Sequence, residues 1–300
     1  MKIYKTPVQR IVDVFIYALM AALALCCLLP VIHVIMASFS EPLKLEAHIG
    51  LLLWPLGFTW KGYQLVFQIP SILTGYQNTL MIVAAGTVLS MLLSCLAAYV
   101  ISRKNWWYAR FLTVLVTITM FFSGGLIPTY LLVKDLGLLD NRLALILPNA
   151  INVWNLIVLR TGFMAVPDSL SESARLDGAN DFTILFRIVI PLSKAVLAVI
   201  LLYYAVGLWN AWFDAMIYLR TRGKYPLQLV LREVLIMEST SASTSGASNV
   251  LQSMNSNDLN IYKKLVRYTT IVIATLPVLC FYPFIQKYFA KGVMIGSLKG

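Results

Sequence analysis

The residues best placed to do chemistry lie in one polar stretch between apolar runs, Val166-Pro167-Asp168-Ser169-Leu170-Ser171-Glu172-Ser173-Ala174-Arg175-Leu176-Asp177-Gly178-Ala179-Asn180, continuing from Asp181 to Pro191. The chemistry they offer is recognition, not bond making. Pro167 suits a first helical turn, and Asp168 and Glu172 place carboxylates where a helix start carries partial positive charge. Gly178 can take the left-handed conformation that ends such a helix. Phe182, Leu185, Phe186 and Val189 recur at i, i+3, i+4 and i+7, which predicts a second helix with one apolar face, and Pro191 marks the start of the next span. A short helical hairpin of this kind can dock into a groove on another protein. Physical reasoning alone leaves an ordinary connecting loop open as the alternative.

A second group is polar but sits inside apolar runs. Asn149, Asn152 and Asn155 fall at i, i+3 and i+6 with Trp154 beside them. Asn210 and Asp214 lie among Trp209 and Trp212. Polar side chains in a span face a cavity or the bundle interior. Amides can hydrogen-bond the hydroxyls of a polar solute while aromatic rings stack on its apolar faces. The simpler alternative for the asparagines is interhelical hydrogen bonding, and for the 209–214 group an interfacial aromatic belt.

Catalytic and metal chemistry finds little to work with. Cys26, Cys27, Cys95 and Cys280 lie inside apolar runs without ligand spacing, and His33 and His48 have no partner pattern. No G-x-x-x-x-G-K-S/T loop is present, so this chain does not bind ATP in the P-loop manner. No His, Cys or acidic cluster suggests a membrane enzyme, and neither a metal nor a cofactor is expected on this chain.

The elements that must hold these residues are membrane helices. The chain is 59% hydrophobic and 12% charged, where a soluble domain carries about a quarter charged residues. Roughly 20 apolar residues cross a hydrocarbon slab about 30 Å thick. An all-α, polytopic protein with six transmembrane helices is predicted, with spans at about 11–38, 79–101, 111–132, 144–163, 192–219 and 268–289. Residues 1–10 form a cytoplasmic N-terminus, and 11–300 a single membrane domain with a loop at 164–191 and an outer loop at 220–267. The N-terminal run is too long for a signal core and reads as an uncleaved span. The net charge of +11 is not arranged as a basic stripe with aromatics, so membrane lipid, not nucleic acid, is its expected partner.

Orientation follows from Lys and Arg in the flanks. With the N-terminus inside, thirteen lie on inner segments and eleven on outer ones. Seven of the eleven fall in the long loop 220–267, and setting that loop aside leaves thirteen against four. Both termini are therefore expected in the cytoplasm. Within that loop, 225–235 predicts a short amphipathic or interfacial helix. Residues 239–256 are rich in Ser, Thr and Asn, which suits a tether or a loop that orders on an external partner.

Glu172-Ser173-Ala174, three residues, Gly178, nine residues, then Ile188-Val189-Ile190-Pro191 resembles the EAA signature of ABC importer permeases. Pro167, Leu170, Asp177 and Ala179 match its fuller form in sugar importers, while Ser173 and Ile190 depart conservatively and Ser169 stands where an acid is common. Ala98-Tyr99, Ser102-Arg103, Ile127-Pro128-Thr129-Tyr130, Trp209-Asn210 and the tail from Gln286 to Gly300 resemble the MalG-type carbohydrate permeases, and within them the LplC- and YtcP-like subgroup. The resemblance implies a second permease subunit, an ATPase homodimer that holds ATP and Mg, a solute-binding protein and an oligosaccharide cargo. It implies that Glu172, Ser173, Ala174, Asp177, Gly178 and Ala179 form the coupling contact with the ATPase. Asn149, Asn152, Asn155, Trp209, Asn210 and Asp214 are the candidate sugar path. An ABC permease for another solute and a secondary transporter remain the competing readings.

Overall fold

Long apolar runs without a glycine pair or a polar cap become the longest helices of the structure, a computed structural model that describes residues 7–103, 107–236, 262–280 and Pro283. Helix α1 (Pro7–Ser38) has 32 residues and runs through Pro30, and α4 (Pro70–Ser102) has 33. Both are long and apolar enough to cross a membrane. Between them lie α2 (Pro42–Ala47) and α3 (Lys61–Gln68). Among the described residues no strand forms, only a bridge between Ser40 and Phe58.

Three runs expected as single spans are broken, and each break has a local cause. The run 111–132 folds as α5 (Trp107–Phe121) and α6 (Leu126–Asp135), which meet at 110°. Gly124 and Gly125 weaken the helix there, and Gly125 adopts φ +86°, outside helical space. The run 144–163 folds as α7 (Leu143–Ile146), a turn containing Pro148, and α8 (Val153–Met164). The run 192–219 is cut at Asn210, whose side-chain amide donates to the Val206 carbonyl at 2.9 Å and competes with the helical ladder. Among the described residues two continuous candidate spans remain, or up to four if the bent pairs 107–121 with 126–135 and 181–192 with 194–209 each count as one. Broken helices survive at membrane depth where protein or a cavity satisfies the freed backbone groups.

After α8 come α9 (Asp168–Leu176), α10 (Asp181–Ile184), a π-helical turn (Leu185–Val189) and α11 (Ile190–Leu192). Then follow α12 (Lys194–Trp209), α13 (Trp212–Tyr218) and α14 (Leu227–Ile236), with α15 over 262–280. The polar stretch 239–256 and the tail from residue 286 lie outside the described residues.

Two compact units are present, residues 1–70 with 234–276, and residues 71–233 with 277–300. In the first, Ala37, Leu45, Leu52 and Leu265 form a small core. His33 is not idle there: its Nδ1 accepts from the Leu52 N–H at 3.0 Å, and its Nε2 lies 3.3 Å from the Tyr268 hydroxyl. Most of α1 is exposed, with Ile11, Val14, Phe15 and Tyr17 each at least 66% accessible, as expected of a helix whose solvent is lipid.

The second unit holds two cores. One gathers Ala98 and Tyr99 of α4, Leu159 of α8, Leu185 and Val189 of the π turn and Tyr204 of α12. Gly162 lets α8 and α12 approach closely, since a Cβ there would lie 3.0 Å from Val196 Cγ2. The other core gathers Ile82, Val133, Leu145, Ala215 and Leu229. The helix expected at 225–235 is present as α14, but it packs on protein. A Cβ on Gly75 would sit 3.2 Å from Leu227 Cα, so α14 lies directly against α4.

Candidate functional site

The hairpin is built as its sequence dictates, one residue displaced. Pro167 is the N-cap of α9 and not its first helical residue, so Asp168 occupies the first turn. The helix ends in a Schellman arrangement, with the Gly178 N–H donating to the Arg175 carbonyl at 3.0 Å and the Ala179 N–H to the Ala174 carbonyl at 2.9 Å. Gly178 takes φ +84° with open space around it. Asn180 caps the second helix by accepting from the Thr183 N–H at 2.8 Å.

The expected apolar face of the second helix is only half buried, and the helix widens into a π turn before Pro191. The Ile190 N–H donates five residues back to the Leu185 carbonyl, just before Pro191, which has no N–H to offer. Ile184, Leu185 and Val189 are buried, whereas Phe182 and Phe186 are 66% and 51% exposed.

Glu172, Ser173, Asp177 and Gly178 are exposed, and Leu176 projects with 90% of its surface free. Ala174 and Ala179 differ, being half-buried and packed on the core that α4, α8, the π turn and α12 share. Across the bend, Arg175 Nη2 lies 2.9 Å from Asp181 Oδ1, and the Tyr99 hydroxyl donates to the same oxygen at 2.9 Å. These two donors hold the Asp181 carboxyl below the ordinary carboxylate range, Arg175 first and Tyr99 next. The Arg103 guanidinium stacks 4.0 Å from the Tyr99 ring centre. Tyr99, Arg103, Asp168, Glu172, Arg175 and Phe182 line a cleft of about 580 Å³ beside the hairpin.

The polar residues expected along one helical face do not share one. Asn149 lies in the turn before α8 and donates to Asp214 Oδ2 at 2.9 Å. Asn152 is the N-cap of α8, accepting from the Asn155 N–H at 3.1 Å, and Asn155 is itself buried. The reason is the break at Pro148, which turns a presumed helical face into a cap. Trp209 is buried edge-on to Tyr76 at 5.9 Å, and among the described residues its Nε1 finds no hydrogen-bond partner. Asn210 Oδ1 lies 3.4 Å from Gln228 Nε2, and the Arg232 guanidinium lies 3.7 Å from the Trp212 ring centre. Gln228 and Arg232 carry no local signal, because they reach this group from α14.

Sequence reading also missed a knot on the 220–226 segment. Asp140, at φ +57°, accepts from the Arg220 and Thr221 N–H groups (3.0 and 2.9 Å), the Thr221 hydroxyl (2.7 Å) and Lys224 Nζ (2.7 Å). Those donors, Lys224 foremost, hold its carboxyl far below the usual range. Asn78 Nδ2 donates to the Gly223 and Tyr225 carbonyls, and Arg142 Nη2 donates to Asn78 Oδ1 at 2.7 Å. Among the described residues no three His, Cys, Asp or Glu side chains gather to hold a metal.

Comparison with known proteins agrees with the resemblance seen in the sequence. The family described as binding-protein-dependent transport system inner membrane component matches residues 90–295. The polygalacturonan/rhamnogalacturonan transport system permease protein YtcP of Bacillus subtilis (strain 168) is 43% identical over 292 residues, covering 97% of this chain and 99% of that one. Protein LplC of the same organism is 39% identical, covering 99% and 98%. A solved structure described as a bacterial ABC transporter involved in the import of the acidic polysaccharide alginate contains a chain 32% identical to this one, with a TM-score of 0.85 and coverage of 96% and 100%. The chain therefore belongs to the binding-protein-dependent transport system inner membrane components, as a permease of the ABC importer type.

Proposed function

We propose that this chain is one of two permease subunits in an ATP-driven importer of oligosaccharides, with six spans, both termini in the cytoplasm and ATP hydrolysis confined to a partner ATPase homodimer. The observation that carries the reading is the hairpin. Its base is packed on α4, α8 and α12, while Glu172, Leu176 and Asp177 stand free at its bend. A short anchored helix with an exposed leucine among acids suits insertion into a groove of another protein. An anchored helix also transmits displacement that a loose loop would dissipate.

ATP-driven closure of the ATPases moves the hairpin, the bundle switches from inward- to outward-facing, and hydrolysis resets it. In this reading Glu172, Ser173, Asp177 and Gly178 face the ATPase, and Ala174 and Ala179 seat the hairpin. On the outer side, the Asp140 knot presents segment 220–226 to a solute-binding protein. Asn149, Asn210, Asp214, Gln228 and the Trp212–Arg232 pair offer hydroxyl partners and a ring face to a passing sugar, with Asn152, Asn155 and Trp209 in supporting positions.

Names of the relatives direct the choice of cargo. One includes polygalacturonan and rhamnogalacturonan, and the structural neighbour imports an acidic polysaccharide. An acidic oligosaccharide is the first cargo to test. The test is purification of this chain from its native membrane in mild detergent, with identification of every protein that accompanies it. A second polytopic permease, an ATPase and a solute-binding protein are expected. Recovery of the chain alone from intact membranes would contradict the reading and favour a secondary transporter.

A further inference from the structure

The Ala98-Tyr99 and Ser102-Arg103 pairs lie at the end of α4, beside the hairpin. We propose that Tyr99, Asp181 and Arg175 form a latch that fixes the hairpin's orientation on α4, so that displacement of the hairpin turns α4 with it. The proposal rests on the importer reading above and adds positioning residues to it.

Three elements meet on one atom. Asp181 Oδ1, at the start of α10, accepts from Tyr99 of α4 and from Arg175 of α9, each at 2.9 Å. Arg175 closes the hairpin across its bend, and Tyr99 ties the closed hairpin to the bundle. The end of α4 to which it is tied is itself stiffened. Its last carbonyls lack intrahelical partners, yet Ser102 Oγ donates to the Tyr99 carbonyl at 2.8 Å and Arg160 Nε of α8 to the Ile101 carbonyl at 2.9 Å.

Apolar packing of Ile184 and Leu185 holds the hairpin's base against this region, but apolar contact is non-directional and permits rocking. Hydrogen bonds are directional, so the latch supplies the missing angular constraint. Tyr99 is buried in the bundle core, but the Arg175–Asp181 ion pair is largely exposed, at 55% and 62% accessible, and exposed pairs add little to stability. What the latch fixes is therefore geometry. The Asp181 carboxyl, held below the usual carboxylate range by Arg175 and Tyr99, stays charged at neutral pH and keeps both bonds.

The test uses the whole complex in proteoliposomes, with its ATPase, second permease and binding protein. Tyr99→Phe removes one hydroxyl and keeps the ring beneath Arg103. Asp181→Ala removes the shared acceptor, and Asp181→Glu restores a carboxylate. In all three the ATPase should co-purify at wild-type stoichiometry, with basal ATP hydrolysis and melting temperature unchanged. Transport stimulated by the binding protein should fall about tenfold in Asp181→Ala, the worth of a charge-assisted hydrogen bond. It should fall less in Tyr99→Phe and partly recover in Asp181→Glu. Wild-type transport in both Asp181→Ala and Tyr99→Phe would overturn the latch. Loss of the ATPase or of thermal stability in Tyr99→Phe would also overturn it, by making the group a docking or folding feature. A wild-type complex lacking any ATPase would instead overturn the importer reading itself.

Discussion

Gly178 shows how a single backbone angle can carry function. At φ +84° with open space where a Cβ would lie, it closes the Schellman end of α9 and sets the bend that exposes Glu172, Leu176 and Asp177. Gly178→Ala should cost about 1 kcal/mol through left-handed strain and leave the bend in place. Gly178→Pro fixes φ near −65° and redirects the bend, and it should abolish uptake while membrane insertion stays normal. Glu172→Lys should do the same by placing a cation against the ATPase. Uptake assays paired with quantification of the chain in membrane fractions check both. Asp140 makes a different prediction. Its folded carboxyl is depressed, so the knot is complete above the free aspartate value of about 3.9 and is lost only as pH falls below it toward the folded value. Amide protection at Arg220 and Thr221 should hold between about pH 8 and pH 5, and Asp140→Asn should speed their exchange several-fold at neutral pH. Gly178 was legible in sequence because a helix end demands it locally. Neither Tyr99–Asp181 nor Asp140–Thr221 was, since the partners lie 82 and 81 residues apart.

At the scale of elements, the sequence announces helices more clearly than their interruptions. α1 and α4 follow from apolar length, α9 from its proline, its acids and its closing glycine, and the helix expected at 225–235 from its amphipathic pattern. The breaks in the three middle runs depend on competition that hydropathy does not register: a glycine pair before α6, a cap at Asn152, a side-chain bond from Asn210. The π turn at Leu185–Val189 is hidden too, because a period of 3.6 residues is assumed when a face is read. Close helix contacts yield a further prediction. Gly162 leaves no room for a side chain against Val196, so Gly162→Leu should force α8 and α12 apart and destabilise the complex by about 1–3 kcal/mol, read as a lower melting temperature in detergent.

For the whole molecule, the account is of a lever set in lipid. The unit formed by residues 71–233 and 277–300 contains both the hairpin and the Asp140 knot, so the proposed ATPase contact and the proposed outer contact belong to one compact body. Thirteen Lys and Arg on the inner flanks against four on the short outer ones would hold that body with the hairpin in the cytoplasm. The most direct measurement is photo-crosslinking from position 176, where the leucine is 90% exposed at the hairpin's bend, in native membranes with mass-spectrometric identification of the adduct. The account predicts an adduct with the ATPase that Glu172→Lys diminishes. Adducts with lipid alone, in membranes where the ATPase is demonstrably present, would contradict it.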